Sequence, residues 1–448
     1  MIKNIIYFLF LYPLLGFIIK PFNFNKYSIS TEITKNINYN IEYENIIKKI
    51  DGFFGTIGPN IYSTKTLYNL FMGDGVINGI FISNGNITFI KRFIKTNKLI
   101  HNEIKSSLNI FQFIKYQKQN RNILFPNRLG VANTALLNVN NNLYALHERD
   151  LPYLININFI SKNIDTINRI NIDHINHFSA HSKFKNNMIE TIDYKVLEKK
   201  LCYYQLTEDF KIKLQKNIKM KYYPFIHDFI STDKNIILFD FPLFLNYTNF
   251  FYDKNILPIS LDNKNPTYIY ILDKNNNNIY QTYIIDKGIY IFHFADYYED
   301  DQFIEIYASI YDKLDFSSLK LNGRYRRIKI NKITKKIDID KNIELENMNL
   351  DFPIKFDNKV ILQSSTDEFI FCEKLNIIKK IKIPKGNING EHKIIKIDNI
   401  SYLFCFTSYQ ELSSIIMINL INYSIIDIPI NENLNIGFHS IYIENKDR

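Results

Sequence analysis

The chain has 448 residues and a mass of 53.3 kDa, of which 46% are hydrophobic and 22% charged. This composition belongs to a globular protein with ample material for a core, and it excludes disorder as the main state. The net charge of +10 would ordinarily suggest a nucleic-acid or membrane partner. However, the lysines are scattered among Asn-rich loops and form no basic stripe with interleaved aromatics, so no nucleic-acid partner is predicted.

The first predicted element is an N-terminal leader over residues 1–35. An almost unbroken apolar run extends from Ile5 to Ile19. It is shorter than the roughly 20 residues of a membrane span and is typical of a signal-peptide core. Residues 20–31 are basic, rich in hydroxyl groups and free of acids, like an organelle transit segment. We expect either a bipartite leader that directs the chain to a plastid or another organelle of the secretory route, or an uncleaved membrane anchor.

Residues 36–448 are predicted to form one all-β domain. Short β-type runs are bounded by Asn, Asp and Lys turns, and their spacing fits a β-sandwich array or a propeller. No exact repeat decides between the two. Strands are predicted over 267–272 and 280–285, over 288–295 and 302–310, and over 401–406, 413–420 and 424–430. Helices are predicted only over 196–219 and parts of 44–50 and 105–116.

Four of the 9 histidines stand inside strand-like apolar segments, where an unpaired imidazole is costly to bury. A lone histidine is more often structural or exposed than a metal ligand. On the strand period, His293 shares a face with Ile289 and Ile291, while its neighbours point to the other face, so this strand is predicted to be buried on both sides. The wide separations exclude a local zinc finger or an HExxH helix. The four are His181, His227, His293 and His439.

The flanking residues carry a resemblance to a known family. GFFGTIGPNIY from Gly52, the segment LFMGDGVINGIFISNGNITF from Leu70 and ANTALLNVNNNLYALHERDLP from Ala132 precede four histidine motifs. These motifs are FSAHSKF, IHDFISTDKNIILFDFPL, FHFADYYEDD and GFHSIYI. In this order they resemble the carotenoid cleavage oxygenase family, which includes apocarotenoid-forming dioxygenases, stilbene-cleaving dioxygenases and the retinoid isomerohydrolase. The similarity runs from about residue 36 to the C-terminus.

The resemblance implies a seven-bladed β-propeller with a loop/helix cap over an axial metal site. In it, His181, His227, His293 and His439 would hold a non-haem Fe(II) ion. The imidazoles would give hydrogen bonds to Glu148, Asp351 and Glu391. Asp351 replaces a glutamate of the family, so its bond must be remade by a backbone shift or a water. The fourth imidazole is expected to be unaided or solvated.

The implied activity is cleavage of a conjugated double bond of a carotenoid or apocarotenoid with O2 into two carbonyl products. The ligands would be an apolar polyene and O2, and an apolar run such as 243–251 could give peripheral membrane contact or form an inner strand. Alternatives are a stilbene-cleaving dioxygenase, an isomerohydrolase, and an inactive propeller that binds a lipid or a partner protein. The stilbene branch uses a lysine where this chain has Ala135, and retention of all four histidines argues against inactivity.

Other residues near these motifs are interpreted as structural. His174 and His177 are predicted to lie on the surface, and Asp228 to face away from the side of its strand that carries His227. Asp74, between two glycines, predicts a tight turn and not a phosphate loop. Three widely spaced cysteines without a CxxC motif argue against a disulfide framework or a thiolate zinc site.

Overall fold

The computed structural model describes residues 31–60, 73–100, 130–148, 150–195, 198–245, 259–276, 280–314, 321–365, 367–409 and 412–445. In this part of the chain, 31 strands are joined by turns and a few helical turns. The helical turns are a 3-10 turn at Ile41–Tyr43 and α-helices at Glu44–Ile47, Asn97–Ile100 and Ile343–Glu346. No helix within these ranges is long and apolar enough to cross a membrane. The all-β prediction is confirmed.

Seven antiparallel sheets form the blades of a propeller. Six of them have four strands each, which follow one another in the chain from the inner to the outer edge of the blade. Blade 2 contains β5 (Ala135–Val139), β6 (Asn142–Leu146), β7 (Tyr153–Asn158) and β8 (Asn163–Arg169); blade 3 contains β9 (Lys183–Lys185), β10 (Met188–Lys195), β11 (Lys200–Leu206) and β12 (Ile212–Lys219). Blade 4 contains β13 (Ile230–Ser231), β14 (Asn235–Asp240), β17 (Thr267–Asp273) and β18 (Tyr280–Ile285), and a separate pair is formed by β15 (Leu243–Leu245) and β16 (Ile259–Leu261).

The remaining four-stranded blades follow in chain order. Blade 5 contains β19 (Tyr290–Glu299), β20 (Phe303–Tyr311), β21 (Arg324–Asn331) and β22 (Ile337–Asp340). Blade 6 contains β23 (Leu350–Phe356), β24 (Lys359–Ser364), β25 (Glu368–Glu373) and β26 (Asn376–Lys382). Blade 7 contains β27 (Asn387–Ile397), β28 (Ile400–Tyr409), β29 (Leu412–Asn419) and β30 (Ile425–Pro429). The predicted strand runs of blades 4, 5 and 7 are confirmed.

Blade 1 closes the ring with strands from both ends of the chain. Its order is β31 (Ser440–Glu444), β2 (Gly52–Asn60), β3 (Asp74–Ser83), β4 (Asn86–Phe93) and β1 (Ile33–Ile37). At Gly58 a Cβ atom would lie 1.7 Å from the carbonyl oxygen of Ile436, so only glycine allows this close approach of the two ends. The pairing of β2 with β31 thus joins the first blade to the last part of the chain.

Apolar side chains fill the spaces between neighbouring blades. One cluster joins blades 1 and 7, where the ring centroid of Phe54 lies 6.1 Å from that of Phe404 and 5.1 Å from that of Phe406. The largest cluster joins blades 3, 4 and 5 and includes Tyr290 and Phe241, whose rings are 4.5 Å apart. Burial between blades keeps the inner strands packed side by side around the axis.

The helix predicted over residues 196–219 is wrong. Residues 200–206 and 212–219 are β11 and β12, which pair with Leu201 opposite Ile218. Along β12 every second side chain is exposed. Leu214, Lys216 and Ile218 point inward, and the side chains that face water are those of Lys213, Gln215, Asn217 and Lys219. This period-two pattern outweighs the helix propensity of lysine and glutamine. The helix at 44–47 is confirmed, and the one predicted over 105–116 lies outside the described residues.

Three other predictions fall largely outside the described part of the chain. Residues 1–30 are not among those described, so the leader stays a prediction, although β1 begins within its last residues. Several long segments between strands, 61–72, 101–129 and 246–258, are likewise outside. The cap and the membrane contact near 243–251 therefore stay predictions as well.

Candidate metal centre

Four histidines lie at the start of the inner strands of four blades. His181, His227 and His439 come shortly before β9, β13 and β31, and His293 lies within β19. One nitrogen from each imidazole can be chosen so that all four lie within 4.8 Å of one another, and the Nε2 atoms of His181 and His227 are 2.9 Å apart. The fold thus brings together the four histidines singled out in the sequence.

A backbone irregularity accompanies the turn of His293 towards the axis. The ladder between β19 and β20 shifts register between Ile291 and Phe294. Both faces of the strand are buried here, as predicted, with Ile291 and Phe292 at most 1% exposed. A bulge of this kind redirects a side chain in a strand whose neighbours must stay in the core.

Three of the four imidazoles contact a carboxylate through Nδ1. His227 Nδ1 lies 2.6 Å from Glu148 Oε1, and His293 Nδ1 lies 2.9 Å from Asp351 Oδ1. His439 Nδ1 lies 3.5 Å from an oxygen of Glu391. Since Nδ1 is taken in this way, Nε2 of each ring is the nitrogen available to a metal.

The remaining imidazole, that of His181, packs against the other three. Its ring centroid is 4.4 Å from those of His227 and His439 and 5.0 Å from that of His293. Among the described residues no carboxylate pairs with it, and its backbone N–H donates to Ser179 Oγ at 3.1 Å.

Asp351 reaches His293 directly despite its short side chain. The β23–β24 ladder shifts register between Asp351 and Ile354, and Phe352 adopts a φ of 49°. This left-handed conformation is unusual for a bulky residue and turns the backbone locally. The direct contact between Asp351 and His293 thus lies beside this backbone irregularity.

The surroundings shift the pKa values of the four imidazoles, three of them towards the neutral form. Burial, together with the neighbouring imidazoles, lowers the pKa of His181 and His227 well below the ordinary value. Burial also lowers the pKa of His439, against the opposing effect of Glu391. For His293, burial lowers the pKa, but the carboxylates of Asp351, Asp228 and Glu391 together raise it more, so its pKa is raised overall.

The donor set fits a divalent transition metal. Neutral imidazoles that donate Nδ1–H to a carboxylate present an Nε2 lone pair to the shared centre. Nε2 of His293 is buried and has no hydrogen-bond partner among the described residues. A buried polar atom in this state is uncommon in proteins, and a cation between the rings would satisfy it. Imidazole nitrogen suits iron, zinc, copper and nickel.

Asp228 links the segments that carry three of the histidines. Its Oδ1 accepts a hydrogen bond from Lys183 Nζ at 2.8 Å, and its Oδ2 accepts one from the backbone N–H of Phe294 at 3.2 Å. Lys183 follows His181 by two residues, and Phe294 follows His293 directly. A structural role was expected for Asp228, but nothing local in the sequence identified these two partners.

The structure corrects two of the minor predictions. His174 is exposed as predicted, but His177 is only 13% exposed and its Nδ1 lies 3.0 Å from Asp193 Oδ1. Asp74 does not form a tight turn: it begins β3 and makes a buried ion pair, 2.9 Å long, with Lys98 Nζ. The flanking Gly75 instead permits close packing, since a Cβ there would lie 2.1 Å from a backbone oxygen.

The fold and the histidine cluster define a class of β-propeller that can hold a metal ion on its axis. Residues 37–369 match the family model described as retinal pigment epithelial membrane protein, and the chain belongs to this family. The resemblance found in the sequence is thereby confirmed.

Curated relatives include enzymes that act on carotenoids. The carotenoid 9,10(9′,10′)-cleavage dioxygenase 1 of Arabidopsis thaliana is 27% identical over 213 residues, or 43% of this chain and 39% of that protein. The carotenoid cleavage oxygenase 1 of Neurospora crassa is 26% identical over 209 residues, or 44% of this chain and 38% of that protein. The matched part therefore spans about two fifths of the length of these relatives.

Solved structures share the architecture over nearly the whole chain. A variant of the Synechocystis apocarotenoid oxygenase superposes with a TM-score of 0.74 at 15% identity, covering 96% of this chain and 100% of that one. The lignostilbene dioxygenase of Pseudomonas brassicacearum superposes with a TM-score of 0.71 at 15% identity, covering 94% and 97%. These similarities establish the seven-bladed fold.

Proposed function

We propose that the chain is a non-haem Fe(II) dioxygenase that cleaves a conjugated double bond of a carotenoid or apocarotenoid with O2. The C=C bond breaks and each carbon leaves as a carbonyl with one oxygen atom. The single observation that carries the proposal is the set of four imidazoles with nitrogens within 4.8 Å of one another at the propeller axis. The activities named for the curated relatives support the choice of substrate.

In this proposal the four histidines would hold the ion, and bound Fe(II) would supply the redox chemistry for the reaction between O2 and an alkene. Four neutral donors leave the ion its full charge and do not fill an octahedral coordination sphere. The three carboxylates keep a proton on Nδ1 of their partners, so that Nε2 stays free to bind. Acidification would work against this arrangement, because protonated imidazole cannot ligate a metal.

The surroundings of the histidines favour a hydrocarbon over a phenol. The ring of Phe352 stacks on His293 at 5.1 Å and lies 5.6 Å from His439, and the ring of Phe292 lies 5.8 Å from His227. Ala135, at the start of β5, is buried and offers only a methyl group where the stilbene branch uses a lysine. An apolar wall can orient a polyene but cannot take a proton from a phenol.

Isotope labelling tests this proposal. The purified chain, loaded with Fe(II), would be incubated with carotenoids and apocarotenoids under ¹⁸O₂, and the products would be analysed by mass spectrometry. We expect two carbonyl products from one polyene, each labelled from O2 when exchange with water is limited by short incubation. Turnover with oxygen from labelled water alone would instead indicate isomerohydrolysis. Absence of turnover by the iron-loaded chain on every polyene would contradict the proposal.

A further inference from the structure

The second oxygen of the Asp351 carboxylate is held by a buried tyrosine. Asp351 Oδ1 faces His293, while Asp351 Oδ2 accepts a hydrogen bond from the Tyr311 hydroxyl at 2.5 Å. The backbone N–H of Phe352 adds a bond of 2.9 Å to Oδ1. The carboxylate therefore has three donors around it, and it cannot rotate without breaking at least one bond.

Two groups of one blade hold the carboxylate of the next. Tyr311 ends β20 and His293 lies on β19, both in blade 5, whereas Asp351 lies on β23 in blade 6. Tyr311 and Asp351 are both 0% exposed. Because water is excluded here, each hydrogen bond is stronger than it would be at the surface. An unpaired carboxylate oxygen at this position would cost folding free energy.

The space around the hydroxyl is built to fit it. A Cβ atom at Gly323 would lie 2.9 Å from the Tyr311 hydroxyl, so glycine at this position leaves room for the oxygen. The other side of the ring packs edge-on against Phe292 at 4.9 Å. Burial raises the pKa of Tyr311 well above its ordinary value, so the hydroxyl stays a proton donor.

We infer that Tyr311 is a positioning residue of the metal centre: its hydroxyl fixes the short carboxylate of Asp351 against His293 and so orients the imidazole. This inference rests on the proposed metal centre. The carboxylate of Asp351 is joined to its Cα by a single methylene and can adopt few positions. The hydroxyl oxygen of Tyr311 lies directly beside this carboxylate. Partners that orient metal-bound histidines in this way typically contribute about 10- to 100-fold to metal affinity.

Cobalt binding tests the inference without relying on turnover. The purified full chain and its variants would be titrated anaerobically with Co(II), and the visible absorption of the bound ion would give both the affinity and the coordination geometry. For Tyr311→Phe we expect binding about 10- to 100-fold weaker than for the parent chain, with a changed spectrum. The matched control is Tyr325→Phe, also a buried tyrosine of blade 5, whose hydroxyl has no partner among the described residues.

A double-mutant cycle separates positioning from general stability. Asp351→Glu adds a methylene beside the tyrosine oxygen and should also weaken Co(II) binding, while Tyr311→Phe removes that oxygen. The double variant Y311F/D351E should therefore bind Co(II) more tightly than the product of the two single effects predicts, by at least about threefold. Asp351→Glu alone remains informative if Tyr311→Phe does not fold.

The outcomes are distinct. Weaker Co(II) binding in Tyr311→Phe, unchanged binding in Tyr325→Phe and recovery in the double variant support the inference. Parental affinity and spectrum in Tyr311→Phe, or equal losses in both tyrosine variants, would overturn it while leaving the metal centre intact. A parent chain that binds neither Co(II) nor Fe(II) would overturn the metal centre itself, and the role of Tyr311 with it.

Discussion

Replacing Glu148 by glutamine should weaken metal binding through His227 while leaving the fold in place. The two side chains are at most 1% exposed and 2.6 Å apart, so their bond is screened from water. Glutamine keeps the shape and one acceptor oxygen but loses the charge. A charged hydrogen bond exceeds a neutral one by about 1 to 1.5 kcal/mol. That difference corresponds to roughly 5- to 12-fold weaker metal binding.

The pH dependence gives the Glu148→Gln test a second readout. Burial raises the pKa of Glu148 to about 7. A metal cation favours the ionised carboxylate, so metal affinity of the parent chain should rise as the pH increases through about 7, at most about tenfold per pH unit from this group. Glutamine does not titrate, and in Glu148→Gln this part of the rise should disappear.

Anaerobic titration with Co(II) or Fe(II) between pH 6 and 8.5 measures both effects. Asp193→Asn is the matched control, because Asp193 also pairs with a histidine Nδ1, that of His177 at 3.0 Å, but outside the four-histidine cluster. We expect parental affinity in Asp193→Asn. If Glu148→Gln bound metal as tightly as the parent with the same pH profile, the role assigned to this carboxylate would be refuted.

Two further predictions concern the fold around the site. His392 is buried, and burial lowers its pKa to about 3. In the unfolded chain this histidine has its ordinary pKa, so below about pH 6.5 the unfolded state takes up a proton that the folded state does not. The free energy of unfolding should therefore fall by about 2 kcal/mol between pH 7 and pH 5. Denaturant unfolding at both pH values should show that His392→Asn loses this share of the acid sensitivity, and equal sensitivity would contradict the assignment. Asp228→Asn should lower the unfolding free energy by about 1 to 3 kcal/mol, because the partly buried ion pair and hydrogen bond that Asp228 makes with neighbouring blades are weakened or lost. The exposed Asp233→Asn should change nothing measurable, and equal effects in the two aspartate variants would refute the linking role.

The four histidines could be found from sequence because each stands in a local motif with an apolar strand around it. His293 illustrates this, since the burial of both faces of its strand followed from the alternation of Tyr290 to Phe292. Asp351 was identified in the same way, through its flanking residues. Its partner Tyr311 was not, because 40 residues separate the two and only the packing of blade 5 on blade 6 brings them together.

The errors also have physical causes. The Lys, Gln and Asn residues on the water-facing side of β12 are also common on the exposed face of a helix. Only the pairing of β12 with β11 determines that this segment is a strand. His177 was assigned to the surface because His181, close by in the sequence, matched the family's ligand motif, whereas tertiary packing places Asp193 against His177. Asp74 was interpreted as part of a turn from its two glycines, but those glycines serve close backbone contact.

Metal content measured together with O2-dependent bleaching tests the central claim most directly. The purified chain would be loaded anaerobically with Fe(II), freed of excess metal, assayed for iron and then exposed to O2 with a panel of carotenoids and apocarotenoids. We predict about one iron per chain and bleaching of a polyene, both lost in His293→Ala and both retained in His174→Ala, which alters an exposed histidine outside the cluster. A chain that takes up no iron, or a His293→Ala variant that keeps both iron and bleaching, would contradict the account.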